Sequence, residues 1–180
     1  FLKQNKSIKN SSFKNELNKC YLGSEYTNDF IEEHLIKKNS LVKNYTFQKL
    51  SDTDLYIDIA KRISNNQVIG WFKGRCEWGP RALGNRSILA DARNPEIKDI
   101  LNKKIKLREV FRPFAPPVLE EFSDIYFDLN YPSPFMLNVV NAKKLAKDKV
   151  PSVVHVDNTC RVQTVNKNNN YHFYNLIAEL

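Results

Sequence analysis

The stretch Gly70–Asp91, GWFKGRCEWGPRALGNRSILAD, sets the tightest condition on what this chain can fold into. Four of the chain's five glycines, Gly70, Gly74, Gly79 and Gly84, fall within fifteen residues of it. Lys73, Arg75, Arg81 and Arg86 stand between and beside them, with Glu77 as the acid in their midst. Glycines let a backbone turn sharply and approach a ligand closely. Arginines beside such a backbone offer planar, permanently charged forks that match phosphate oxygens two at a time. The pattern reads as an anion-binding loop, with phosphate as the fitting ligand.

The distribution of charge supports that reading. The net charge is +8, but lysine and asparagine are abundant throughout, so the total says little. Arginine is concentrated: six of eight, Arg75, Arg81, Arg86, Arg93, Arg108 and Arg112, lie within 38 residues. The lysines at 103, 104 and 106 read as a solvated basic face at a helix end. Cys20, Cys76 and Cys160 are scattered, odd in number and form no C-x-x-C pair, and the three histidines are as widely spread. That argues against a disulfide framework and a zinc site, so no metal is expected, and it points to a reducing, cytoplasmic setting. No apolar run reaches the ~18–20 residues of a membrane span.

Along the chain, residues 1–21 read as a linker or the end of a preceding domain, and 22–180 as one domain. Spacing predicts a helix from Phe30 to Lys38 and a short strand over Tyr45–Leu50. A second helix is capped by Ser51 or Asp52, has Leu55, Ile59 and Ile63 on its apolar face and ends at Asn65–Asn66. Gln67–Lys73 is β-prone and delivers the chain into the glycine-arginine loop. Arg86–Asp91 reads as a strand. Asn94 and Pro95 open a helix whose apolar face is Ile97, Ile100, Leu101 and Ile105. Phe111–Leu119, with three prolines, reads as a stiff extended segment that fixes Arg112. A short helix over Glu120–Phe127 and strands over Phe135–Val140, Val153–Val156 and Arg161–Val165 follow, the last two joined by a turn at Asp157–Thr159. A final helix covers Tyr171–Leu180. The start at Phe1 and the uncapped end at Leu180 lead us to expect a piece of a longer protein.

Four segments in this order, GRCEWGPRALGNRSILAD, KIKLREVFRPFAPPVLEE, SPFML and HVDNTCRVQTV, resemble the C-terminal part of the nodulation-type (NodU-like) O-carbamoyltransferases. LGSEY at Leu22–Tyr26 resembles the start of that region, so the resemblance covers Leu22–Leu180. It implies an α/β (α+β) fold like the YrdC and Sua domains, a twisted mixed sheet flanked by helices. It further implies that this lobe uses carbamoyl phosphate, ATP and Mg²⁺ to make carbamoyl adenylate. A metal-bearing N-terminal transferase lobe, outside these 180 residues, would pass the carbamoyl group to a hydroxyl of a small molecule or sugar. An asparagine-rich NTSFN segment of that family also lies outside these residues. Cys76 stands where methionine is usual.

Highly charged phosphates need several fixed cations, since phosphoryl and nucleotidyl transfer rests on positioning and charge stabilisation. Arg75, Arg86, Arg112 and His155 are the expected catalytic residues. Lys73, Glu77, Gly79, Arg81, Gly84, Asn85, Ser87, Arg108, Asp157 and Arg161 are expected to bind the nucleotide and carbamoyl phosphate. Glu77 would orient an arginine, bind the carbamoyl amide or pair with Arg81. His155 and Asp157 would share a side of a strand, as a structural pair or a catalytic one. Trp71, Phe72 and Trp78 read as core rather than as a stacking platform. An RNA-binding module and a catalytically incomplete fragment are the alternatives; against RNA, the arginines sit among glycines and prolines instead of along a helix face.

Overall fold

The structure, a computed structural model, describes residues 20–39 and 46–180. Most of the expected linker therefore lies outside the described residues, as does Tyr45 of the expected 45–50 strand, whose remainder runs without a strand. The fold is mixed α/β, as expected. Among the described residues its strands pair in three two-stranded ladders, two antiparallel and one parallel.

Helix α1 (Asn28–Asn39) begins where Thr27 Oγ1 accepts the Phe30 N–H. Helix α2 (Asp52–Ser64) forms for local reasons. Ser51 caps it by accepting the Asp54 N–H, acids fill its first turn, and Lys61 and Arg62 occupy its last, which suits the helix dipole. Its buried face is Tyr56, Ala60 and Ile63, with Leu55 and Ile59 half-buried beside it. The chain leaves through Asn66 in the left-handed region and enters β1 (Ile69–Phe72), which pairs antiparallel with β2 (Arg86–Leu89). The glycine-arginine loop is the connection of this hairpin.

After β2 the expected helix forms, but it starts later than Pro95 and changes its hydrogen-bond pattern part-way. Asn94 and Pro95 form a turn, in which Asn94 Oδ1 accepts the Glu96 N–H, and α3 spans only Ile97–Ile100. A wide π-type turn over Leu101–Lys106 follows and stops at Leu107, whose backbone is left-handed. The lysines of that turn are exposed, as expected. Strand β3 (Pro117–Leu119) carries the chain out of the proline-rich segment, and a 3₁₀ turn (Glu120–Phe122) leads to α4 (Ser123–Tyr126). Strand β4 is confined to Val139–Asn141, because Met136 takes a left-handed conformation inside the expected strand. Helix α5 (Lys144–Lys149) is followed by a 3₁₀ turn over Pro151–Val153, the expected Val153–Val156 strand does not form, and Val156 is fully exposed. The partner of β5 (Thr159–Arg161) is β4 instead, while β6 (Gln163–Val165) runs parallel to β3. Helix α6 (Tyr171–Ala178) is capped by Asn170, whose Oδ1 accepts the Phe173 N–H.

Two apolar cores flank the β5–β6 segment. One gathers Val118, Phe127, Leu129, Ala142, Ala146, Cys160 and Val162; the other gathers Tyr56, Ala60, Trp71, Val165, Phe173 and Leu176 between α2, β1 and α6. Full burial of one such large side chain contributes about 1.5–3 kcal/mol. Burial pushes the Cys160 thiol up to about 11, so it packs as a hydrophobe. Among the described residues, no helix is long and apolar enough to cross a membrane.

The loop is clamped to the second core at Gly84. Its carbonyl accepts the Trp71 indole N–H at 2.8 Å, its φ is 104°, and an added Cβ would stand 2.1 Å from the Phe173 ring. Gly84→Ala must therefore displace Phe173 as well as strain the backbone, and should cost roughly 2–4 kcal/mol. Urea unfolding measures it; an unchanged midpoint would show that the loop does not press on α6.

Candidate functional site

A buried carboxylate organises the glycine-arginine loop. The Glu77 side chain is fully buried, and its Oε1 accepts the backbone N–H groups of Leu83 (2.7 Å), Asn85 (2.8 Å) and Arg86 (3.2 Å). Arg86 Nε lies 3.0 Å from Oε2, an ion pair by distance whose angle is too poor for a hydrogen bond, so Oε2 has no hydrogen-bond donor among the described residues. Arg86 also donates from Nη2 to the Gly79 carbonyl. Of the readings open for Glu77, holding an arginine fits the geometry, and the arginine is Arg86 rather than Arg81, because three amides hold the carboxylate at the foot of β2.

Most of the loop's remaining polar residues hold its shape. Ser87 Oγ accepts the Gly84 N–H, and Asn85 Nδ2 donates to the Arg75 carbonyl. Asn170 donates to both Asn85 Oδ1 and the Tyr21 hydroxyl, while Tyr21 and Gln163 both donate to the Leu83 carbonyl. Residues 20–24 run beside Cys76–Trp78, with Gly23 N–H donating to Cys76 O and Cys76 N–H to Ser24 O, both at 2.9 Å. Gly74 and Gly79 both have positive φ. Lys73 is paired with Asp52 at 2.7 Å, and this ammonium holds the Asp52 carboxyl below its ordinary value. Arg75 is exposed, with Glu25 3.8 Å away. Trp71 is core, as expected; Phe72 and Trp78 are 50% and 76% exposed, because the hairpin turns them outward from the core that Trp71 enters.

A second buried polar side chain, Asn102, sets the other wall. Its Oδ1 accepts the Arg108 Nε–H at 2.7 Å, and its Nδ2 donates to the carbonyls of Val110 (3.2 Å) and Arg112 (2.9 Å). The Arg108 guanidinium also lies over the Phe114 ring, 4.7 Å from its centroid. Arg112 is exposed, 3.5 Å from Glu109. Sequence reasoning passed over Asn102; an amide next to Leu101 in an otherwise apolar helical stripe was its one trace.

Arg81 and Arg108 lie near enough for their charges to act on Arg161, and none of the three forms an ion pair among the described residues. Burial, and then the charges of Arg81 and Arg108, pull Arg161 below the ordinary arginine range. Arg108 is lowered by burial and then by Arg112, against an opposing pull from Glu109. All stay charged at neutral pH. Several like charges with few counter-charges near them make a favourable field for an anion.

His155 and Asp157 are not on a strand, contrary to expectation, and Thr159 links them. The Thr159 hydroxyl donates to Asp157 Oδ1 at 2.7 Å and lies 3.0 Å from His155 Nδ1. Bonds from Thr159 hold Asp157 below its usual value. Burial lowers His155, with Arg161 and Lys98 acting the same way and Asp157 opposing.

Residues 60–180 match the family model described as carbamoyltransferase C-terminus. The chain belongs to this carbamoyltransferase C-terminal family. It is similar to the nodulation protein NolNO of Sinorhizobium fredii, 46% identical over 127 residues, covering 67% of this chain and 19% of the relative. It is also similar to nodulation protein U of the same organism, 43% identical over 122 residues, covering 68% and 22%. An uncharacterised Synechocystis protein, sll1178, is 39% identical over 179 residues, covering 88% and 29%. The chain spans less than a third of the length of these relatives. The family match takes in the whole glycine-arginine loop, the Arg108–Arg112 segment and His155–Arg161.

Glu77→Ala would leave three loop amides without their acceptor and Arg86 without its counter-charge. It should destabilise by about 3–5 kcal/mol, and Glu77→Gln, which keeps an acceptor but loses the charge, by about 2 kcal/mol. Denaturant unfolding of both variants checks this; losses within about 0.5 kcal/mol, the range of neutral surface changes, would mean water serves those amides as well.

Proposed function

We propose that this chain is the carbamoyl-adenylate-forming lobe of an O-carbamoyltransferase, binding carbamoyl phosphate and ATP. The observation that carries the reading is that the charges of Arg81 and Arg108 both act on Arg161, and that these three arginines form no ion pair among the described residues, while Arg112 beside them is paired with Glu109. Membership of the carbamoyltransferase C-terminal family supplies the reaction class. The chemistry joins a carbamoyl oxygen to the α-phosphorus of ATP and expels pyrophosphate. Mass balance also requires one water, as carbamoyl phosphate gives up its phosphate.

In this reading the guanidinium groups bind phosphate oxygens and stabilise the charge that develops at phosphorus. Glu77 and Asn102 keep the two loops in place before the substrates arrive, so less ordering remains to be done at binding. Mg²⁺ would arrive with the ATP phosphates and neutralise part of their charge. The product would pass to a metal-bearing transferase lobe elsewhere in a longer cytoplasmic protein, and from there to a hydroxyl of a small molecule or sugar. The arginines converge on one patch beside a loop, an arrangement suited to a small anion rather than to a nucleic-acid backbone.

Calorimetric titration with ATP and Mg²⁺, with and without carbamoyl phosphate, tests the proposal. Saturable binding should weaken about tenfold or more in Arg161→Ala or Arg108→Ala, the loss of one charge-assisted contact. No binding by the folded parent, or tight binding of duplex RNA with a steep salt dependence, would overturn it.

A further inference from the structure

The hydrogen bonds around Thr159 fix the chemistry of His155. A hydroxyl has one proton to give, and that of Thr159 goes to Asp157 Oδ1. Thr159 Oγ1 can then only accept from His155, so the histidine carries its proton on Nδ1. In the neutral imidazole, Nε2 is left as a bare lone pair. That atom is buried and has no hydrogen-bond partner among the described residues. A buried acceptor without a donor is costly and calls for an explanation.

Its surroundings indicate which donor it would take. Thr159 and Arg161 are two apart on β5 and so share a face, while Cys160 between them points into the core. The face that holds His155 through Thr159 therefore also presents Arg161. An anion drawn to Arg161 would bring whatever is attached to it towards the imidazole.

We propose that His155 Nε2 accepts an N–H of the carbamoyl amide of carbamoyl phosphate, and that Thr159 and Asp157 are positioning residues that hold the histidine in the accepting tautomer. The inference rests on the carbamoyl phosphate reading above and adds a specificity determinant to it. Acetyl phosphate has the same phosphate and nearly the same shape, but a methyl group in place of the amide. It offers His155 no proton and leaves the lone pair unmatched, so it should bind more weakly. A site built to bond a substrate N–H discriminates against an analogue lacking it far better than an apolar pocket can.

The test is the ratio of affinities for carbamoyl phosphate and acetyl phosphate, measured by calorimetry on the full chain. The parent should prefer carbamoyl phosphate by about tenfold or more, in line with the loss of one buried hydrogen bond. His155→Phe should bring the ratio close to one while both phosphates still bind. Thr159→Val should reduce the ratio several-fold, and Thr159→Ser, which keeps the hydroxyl, should restore it. A merely structural Thr159 would weaken both ligands together and leave the ratio alone. A parent that binds both phosphates equally, or a ratio unchanged in both His155→Phe and Thr159→Val, overturns this assignment and leaves the functional reading standing. A folded parent that binds neither phosphate overturns both.

Discussion

The site depends on one buried carboxylate. Removing a charged Glu77 from water costs several kcal/mol, and only multiple donors can offset that. Three backbone amides and the Arg86 guanidinium stand in the right places, and all belong to residues 83–86, within nine positions of Glu77. The acid thus folds its own loop around itself. Glu77 is the counter-charge for Arg86, which leaves Arg81 without an ion pair among the described residues and its charge acting on Arg161. Gly84, pressed against Phe173 and bonded to Trp71, ties this loop to the α2–β1–α6 core.

Asn102 performs a similar task for the second loop with a neutral side chain. Its one oxygen and one nitrogen meet Arg108 and two carbonyls, so the amide is satisfied although fully buried. Two loops of unlike sequence are thereby each organised by a single buried polar residue, and each presents arginines to the same place. Guanidinium groups held near one another repel, the more so the less water screens them. The folded core and the two hubs bear that cost before any ligand arrives, which is what preorganisation means in energetic terms.

The sequence was most legible where the signal was local. Ser51 with its following acids, the spacing of Leu55, Ile59 and Ile63, the β-prone QVIGWFK and the asparagines before Tyr171 each specify an element from a few neighbouring residues. It misled where a backbone choice overrode propensity. Val153–Val156 is rich in β-formers, but a 3₁₀ turn opened by Pro151 takes in Val153 and the rest runs as bend and turn, and Met136 breaks a segment that alternates like a strand. Within the site, composition located the arginines but not their division of labour. Arg75, Arg81 and Arg86 look alike in sequence; Glu25 beside the first and Glu77 beside the third separate them only in space. Asn102 was silent for the same reason, since the carbonyls and the guanidinium it meets come into reach only once the chain folds back over it.

The most direct test of this account is to locate a bound anion. Crystals soaked in tungstate, a phosphate surrogate with strong anomalous scattering, would show where the field of the protein is focused. The account predicts an anomalous peak bridged by Arg81, Arg108 and Arg161, on the side of β5 that carries Thr159. A principal peak at the exposed Arg75, or at the lysines of the Leu101–Lys106 turn with nothing between those three arginines, would contradict it.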